Sequence, residues 1–112
     1  MALEALKWYR VKDTGQFCQV TGIASTADPN VRVRKADRDL NSFHAYLLWF
    51  TPSADGAWTK RAILMDLPKA LRLLRDPAEE DGPTIENLRS ISKDLPLSSA
   101  TVDGIRTEPA PD

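Results

Sequence analysis

The chain has 112 residues, enough for one modest hydrophobic core. Of these residues 42% are apolar and 28% are charged, a composition that excludes a disordered protein. Its single cysteine, Cys18, and single histidine, His44, exclude an intramolecular disulfide and a cysteine-based zinc site. The net charge of −1 conceals an asymmetry, since residues 1–76 hold twelve basic and eight acidic side chains whereas residues 77–112 hold three and eight.

The first elements in chain order are predicted to be two strands of a hairpin. Apolar and aromatic residues cluster within Ala5–Lys12, Gly15 supplies a turn, and a second mixed run covers Gln16–Ala24. Residues 28–30 read Asp-Pro-Asn and predict a turn. Valine then alternates with arginine, which predicts a half-buried strand over Val31–Lys35.

The centre of the chain is predicted to supply the core strand of a sheet. Residues 43–50 place bulky side chains on both faces, as is typical of a central strand. Pro52, Asp55 and Gly56 mark a loop of about five residues before another strand over Trp58–Met65. These runs predict a second hairpin. Their periodicity alone does not exclude a helix, but their aromatic and β-branched content favours strands.

Two short helices are predicted in the last third of the chain. Asp66 or a neighbour caps the first, Pro68 fits its first turn, and leucines recur at helical spacing until it ends near residue 76. Thr84 is the predicted cap of the second helix, over Thr84–Lys93. Few large apolar groups follow, so we expect a single domain over residues 1–97 and an acidic, largely mobile tail over residues 98–112.

These elements predict an α+β fold, in which an antiparallel sheet of four or five strands has one or two helices packed on one face. A small β-barrel or roll with peripheral helices is the alternative. The chain starts without the layout of a signal peptide, and its longest apolar run, residues 45–50, is too short to span a bilayer. We therefore expect a cytoplasmic protein with no membrane partner.

The chemistry-bearing side chains predict a protein that is not an enzyme. We expect His44 to be structural or simply exposed rather than a general base, and Cys18 to be a small buried hydrophobe rather than a reactive thiol. The acidic run at residues 79–81 lacks the spacing of a calcium loop and is interpreted as a solvated linker. All five glycines are isolated, so a phosphate-binding loop is not predicted, and we expect no cofactor or metal.

Basic and aromatic residues concentrate in the first 61 residues of the chain. On antiparallel strands such residues follow a phosphate backbone while the rings stack on unpaired bases. The alternative interpretation is purely structural: the aromatic rings form the hydrophobic core and the arginines form a solvated face. The candidate nucleic-acid-binding residues are Lys7, Trp8, Arg10, Lys12, Arg32, Arg34, Lys35, Arg38, Trp58, Lys60 and Arg61.

Several strands followed by a hairpin that runs directly into a helix resemble the PC4 family of single-stranded DNA-binding cofactors. The resemblance covers about residues 6–76 and depends on the run from Ala62 to Pro68 and the helix at Lys69 to Arg75. It implies a curved four-stranded sheet that grips single-stranded DNA and a following helix that mediates dimerisation. The predicted strand at Val31–Lys35 and the second helix depart from that plan.

The sequence leaves two functions open. The first is a non-enzymatic protein that binds single-stranded nucleic acid through a basic, aromatic sheet face. The alternative is a protein-binding adaptor or inhibitor, of the kind that small phages and plasmids encode, acting on a host protein. In either case we expect a homo-oligomer, formed through the Leu67–Leu74 helix or an exposed sheet edge.

Overall fold

The computed structural model describes residues 3–25 and 43–103, which form a six-stranded sheet and two α-helices. The α+β class predicted from the sequence is therefore confirmed. The strands are β1 (Trp8–Val11), β2 (Phe17–Ser25), β3 (Phe43–Pro52), β4 (Trp58–Asp66), β5 (Leu74–Arg75) and β6 (Leu97–Asp103). The helices are α1 (Leu67–Leu73) and α2 (Gly82–Ile91), and short 3-10 turns cover Glu79–Asp81 and Ser92–Asp94.

The spatial order of the strands is β5-β1-β2-β3-β4-β6. Neighbouring strands are antiparallel except for β4 and β6, which are parallel. The sheet is therefore mixed and has six strands, whereas the sequence predicted four or five antiparallel ones. The two additional strands, β5 and β6, lie at the edges of the sheet.

The two predicted hairpins are confirmed by the pairing of β1 with β2 and of β3 with β4. In the loop between β3 and β4, Gly56 has a φ of 86°, a left-handed conformation that glycine adopts at little cost. The predicted core strand is β3, which lies between β2 and β4. The strand predicted at Val31–Lys35 lies outside the described residues.

One face of the sheet, which we call the first face, is covered by α1. Side chains such as Tyr9, Leu47 and Ile63 pack there with Ala70 in one buried cluster. Asp66 caps α1, because its Oδ1 accepts a hydrogen bond from the backbone N–H of Lys69 at 2.8 Å. The helix ends at Leu73, three residues earlier than predicted, since the chain becomes extended and pairs with β1 as β5.

The opposite face, which we call the second face, is partly covered by α2. Ile85 and Leu88 pack there against Trp8, Phe17 and Phe50. Successive side chains of a strand alternate between faces, so these rings point away from the cluster on the first face, which we call the first cluster. The rings and the two α2 residues form the second cluster. The helices therefore lie on opposite faces, whereas the sequence predicted them on one. Each face of the sheet carries apolar side chains, and those on each face are buried only if a helix packs on that face.

The C-terminal part of the described chain differs in two ways from the prediction. First, α2 begins at Gly82, with Asp81 at the N-cap position, and not after a Thr84 cap. Second, Leu97–Asp103 form β6, so the sheet extends past the predicted domain boundary at residue 97. Among the described residues, no helix is long and apolar enough to cross a membrane.

Candidate functional site

The predicted aromatic residues of the second face lie in or against the cluster below α2. Trp8 is only 6% exposed, and its ring centroid lies 5.1 Å from that of Phe50. Trp58 is half-buried and meets the Phe17 ring edge-on, with 6.3 Å between centroids. A nucleic-acid base could therefore stack on Trp8 only if α2 moved away from the sheet.

The predicted basic residues of the second face bind the segments that flank α2. Arg10 donates from Nη1 to Oδ1 of Asp81 at 2.7 Å, and Lys60 donates from Nζ to the backbone carbonyl of Ser92. The second oxygen of Asp81 accepts a hydrogen bond from the backbone N–H of Ala78 at 2.8 Å. These contacts hold the segments at both ends of α2 against the sheet. They also engage Arg10 and Lys60, two of the basic residues predicted to bind nucleic acid.

Asp81 is a residue whose role the sequence analysis missed. It is buried, at 4% exposure, and is not part of a solvated linker, although Glu79 and Glu80 beside it are exposed. A buried carboxylate is stable only with partners, and Arg10 and the Ala78 N–H provide them. The local sequence contains no signal for this, because Arg10 lies 71 positions away.

Arg61 lies on the first face, apart from the other candidate residues. Its guanidinium carbon is 5.9 Å from the centre of the Trp49 ring, a geometry that allows a cation–π interaction. Within the described part of the chain, Nε of Arg61 and Nε1 of Trp49 are both buried without a hydrogen-bond partner.

Of the remaining candidate basic residues, the structure describes only Lys7 and Lys12. Lys7 and Lys12 are exposed, and Lys7 forms an ion pair with Glu4 at 2.6 Å. The hydrogen bond and the charge of Glu4 raise the pKa of Lys7. The other four candidates, Arg32, Arg34, Lys35 and Arg38, lie outside the described residues.

Cys18 and His44 are both fully buried. Burial raises the pKa of the Cys18 thiol to about 12, so the reactive thiolate is disfavoured, and the prediction of a small buried hydrophobe is confirmed. The His44 ring meets the Tyr46 ring edge-on, with 5.2 Å between centroids. In residues 3–25 and 43–103, no group of three or more His, Cys, Asp or Glu side chains could hold a metal ion.

An apolar groove of about 330 Å³ lies on the second face, beside the area that α2 covers. In the register of the sheet, Tyr46 is opposite Leu64, Leu48 is opposite Ala62, and Ala62 is opposite Ala100. The two alanines leave space between the larger side chains. The side chains that line the groove from this face are Thr21, Tyr46, Leu48, Ala62, Leu64 and Ala100.

The chemistry of the groove is that of an apolar docking site. None of the described side chains that line it is charged, and the Thr21 hydroxyl already donates to the Tyr46 carbonyl at 3.1 Å. The groove therefore suits aliphatic or aromatic groups and offers no cation to a phosphate. Sequence reasoning did not find it, because β3 carries bulky apolar residues on both faces and its pattern does not show which of them α2 covers.

No family model, curated protein or solved structure matches this chain. The resemblance to the PC4 family stays a prediction.

Proposed function

We propose that this chain is a protein-binding module that holds an apolar segment of a partner protein in the groove of the second face. The observation that carries the proposal is the groove itself, which is open and is lined by uncharged side chains on three central strands and β6. Apolar surface that a domain leaves uncovered is typical of interaction sites. An adaptor and an inhibitor both need such a surface.

The charges of the second face favour protein binding over single-stranded nucleic-acid binding through this face. A phosphate backbone is bound by cations that are free to replace its counterions. Arg10 and Lys60 instead bind Asp81 and the carbonyl of Ser92. Trp8, the predicted stacking platform, lies below α2.

The size of the groove sets the kind of complex that we expect. One apolar side chain that becomes fully buried contributes about 1.5–3 kcal/mol, which is less than the entropic cost of association. Two or more anchor side chains, spaced along one extended segment, are therefore needed for micromolar affinity. Such a segment would follow the line of Tyr46, Leu48 and Ala62 along the groove.

The test is a selection of short random peptides on the immobilised chain, followed by fluorescence anisotropy with the enriched peptides. We expect enrichment of peptides with aliphatic or aromatic anchors. Ala62→Arg fills the half-buried floor of the groove and should weaken binding at least about tenfold. The matched control is Ala54→Arg, which adds the same charge in the exposed loop between β3 and β4.

Two results would count against protein binding through this groove. One is a set of enriched peptides that bind the Ala62→Arg and Ala54→Arg variants equally well. The other is salt-dependent binding of labelled single-stranded DNA that both variants retain, together with no enriched peptide. That second result would favour the nucleic-acid hypothesis, because release of counterions is the mark of phosphate contacts.

A further inference from the structure

The outer edge of β6 is the main exposed edge of the described sheet. β6 pairs with β4 on one side, and no other strand in residues 3–25 and 43–103 pairs with its second side. Residues 97–100 are all exposed, including Leu97 at 57%. An unpaired edge presents backbone N–H and C=O groups in the geometry that another strand needs.

β6 lacks most of the features that usually protect an edge, although one extra residue between Leu97 and Ala100 shifts its register with β4. Proteins prevent edge-to-edge pairing with lysines, prolines, bulges or very short strands. β6 has seven residues, and residues 97–102 read Leu-Ser-Ser-Ala-Thr-Val, with neither charge nor proline. The opposite edge strand, β5, has only two residues and ends at the exposed Arg75, followed by the exposed Asp76. Of the two edges, β6 is the one suited to pairing.

We propose that two copies of this chain pair through β6 in an antiparallel arrangement and form one continuous twelve-stranded sheet. The occupant of the edge is a second copy because the strand is compatible with itself. Around a two-fold axis at Ala100, residues 98–102 oppose one another and are all uncharged, and Asp103 is opposite Leu97, so no like charges oppose each other. The pairing goes beyond the proposed function and does not depend on what the groove binds.

The symmetry of this pairing has a consequence for the groove. Antiparallel strands in one sheet are related by a two-fold axis perpendicular to the sheet, so both second faces point to the same side. Ala100 lines the groove at its β6 border, and Leu97 lies on the same face because it is paired with Lys60. The β6 strand of the second copy would therefore supply the wall that one copy lacks, and the two grooves would become neighbours.

The first experiment is sedimentation velocity of the full chain at micromolar to submillimolar concentration. We expect a monomer–dimer equilibrium in which Ser99→Lys weakens dimerisation at least about tenfold, because two lysines then meet near the axis. Ser99 is exposed and is not among the residues that line the groove, so this variant leaves the groove intact. The matched control, Ser90→Lys, adds the same charge on the exposed surface of α2 and should dimerise like the original chain.

The second experiment maps the axis by disulfide formation and does not depend on the Ser99→Lys variant. Because Cys18 is fully buried, a cysteine placed at Ser98, Ser99 or Ala100 is the accessible thiol of its variant. A disulfide needs Cα atoms about 4.4–6.8 Å apart, so we expect rapid cross-linking of two copies at one of these positions near the axis. Leu71→Cys, on the exposed side of α1, should cross-link slowly.

Three outcomes would overturn the pairing: a monomer at every concentration, a dimer that Ser99→Lys leaves intact, or cross-linking that is fastest at Leu71→Cys. The last of these would place the dimer contact on α1. Peptide binding by a strictly monomeric chain would support the proposed function and contradict the pairing through β6. Dimerisation without peptide binding would support the pairing and contradict the proposed function.

Discussion

The ion pair between Arg10 and Asp81 joins β1 to the start of α2 and so keeps Trp8 covered. Replacing Asp81 by alanine leaves the Arg10 guanidinium without its carboxylate and the Ala78 N–H without its acceptor. The Arg10 side chain is 26% exposed, so water compensates part of the loss. We expect Asp81→Ala to lower the free energy of unfolding by about 2 kcal/mol, below the range for a fully buried pair. Urea denaturation near neutral pH measures this change.

The control for that experiment is the neighbouring carboxylate Glu80, which is exposed. Glu80→Ala removes the same charge from the same turn and should change the free energy of unfolding by less than about 0.5 kcal/mol. If Asp81→Ala were no more destabilising than Glu80→Ala, the ion pair would not be what holds this end of α2 on the sheet.

Cys18 predicts how stability depends on pH. Burial raises the pKa of its thiol from 9.0 to about 12, so between these values the unfolded chain loses a proton that the folded chain keeps. Ionisation of the unfolded state then favours unfolding. The contribution of the neutral thiol is fully present below pH 9.0 and is lost as the pH rises towards about 12. The slope is at most about 1.4 kcal/mol per pH unit.

We therefore expect the original chain to lose stability more steeply above pH 9.0 than Cys18→Ala. The comparison concerns slopes, since the smaller alanine side chain also lowers the absolute free energy of unfolding. Urea titrations of both proteins over a series of alkaline pH values measure the two slopes. All other ionisable side chains are the same in both proteins, so their effect cancels in the difference. Parallel pH profiles would mean that Cys18 is not the group responsible.

At the scale of the elements, β1 to β4 could be predicted from the residue order because each has aromatic or β-branched residues bounded by turn signals. Asp66 and Pro68 likewise marked the start of α1. β5 and β6 have no comparable signal. β5 has two residues, and β6 consists mostly of small or polar ones, so each is a strand because it pairs with β1 or β4. Such long-range pairing is not encoded in a local pattern.

The same limit applies to the candidate site. Tyr46, Leu48 and Phe50 point to the same face of β3, yet Phe50 belongs to the buried cluster below α2 whereas Tyr46 and Leu48 line the groove. The difference depends on where α2 lies along the sheet. Contacts over 71 and 32 positions, from Arg10 to Asp81 and from Lys60 to Ser92, fix the segments at its two ends. A basic and aromatic pattern in the sequence therefore predicts which residues share a face, but not that a later helix covers them.

At the scale of the whole molecule, the two hydrophobic clusters have the same four strands between them. The first cluster includes Leu47 and Trp49 of β3, and the second includes Phe50 of the same strand. Loss of either cluster exposes one face of a strand whose other face belongs to the remaining cluster. Neither cluster has a sheet of its own, so we expect them to unfold together in one cooperative transition.

The tryptophans allow this cooperativity to be tested, because Trp49 reports on the first cluster and Trp8 and Trp58 on the second. One variant, Trp49→Phe, keeps the two second-face tryptophans, and a double variant, Trp8→Phe with Trp58→Phe, keeps Trp49. In each variant we expect the urea midpoint from fluorescence to coincide with the midpoint from far-ultraviolet circular dichroism of the same variant. Comparing two probes within one protein removes the effect of each substitution on stability.

A fluorescence midpoint in Trp49→Phe that comes well before its circular-dichroism midpoint would show that α2 leaves the second face while the sheet persists. Trp8 would then become accessible without global unfolding, and stacking of bases on it would again be a physical option.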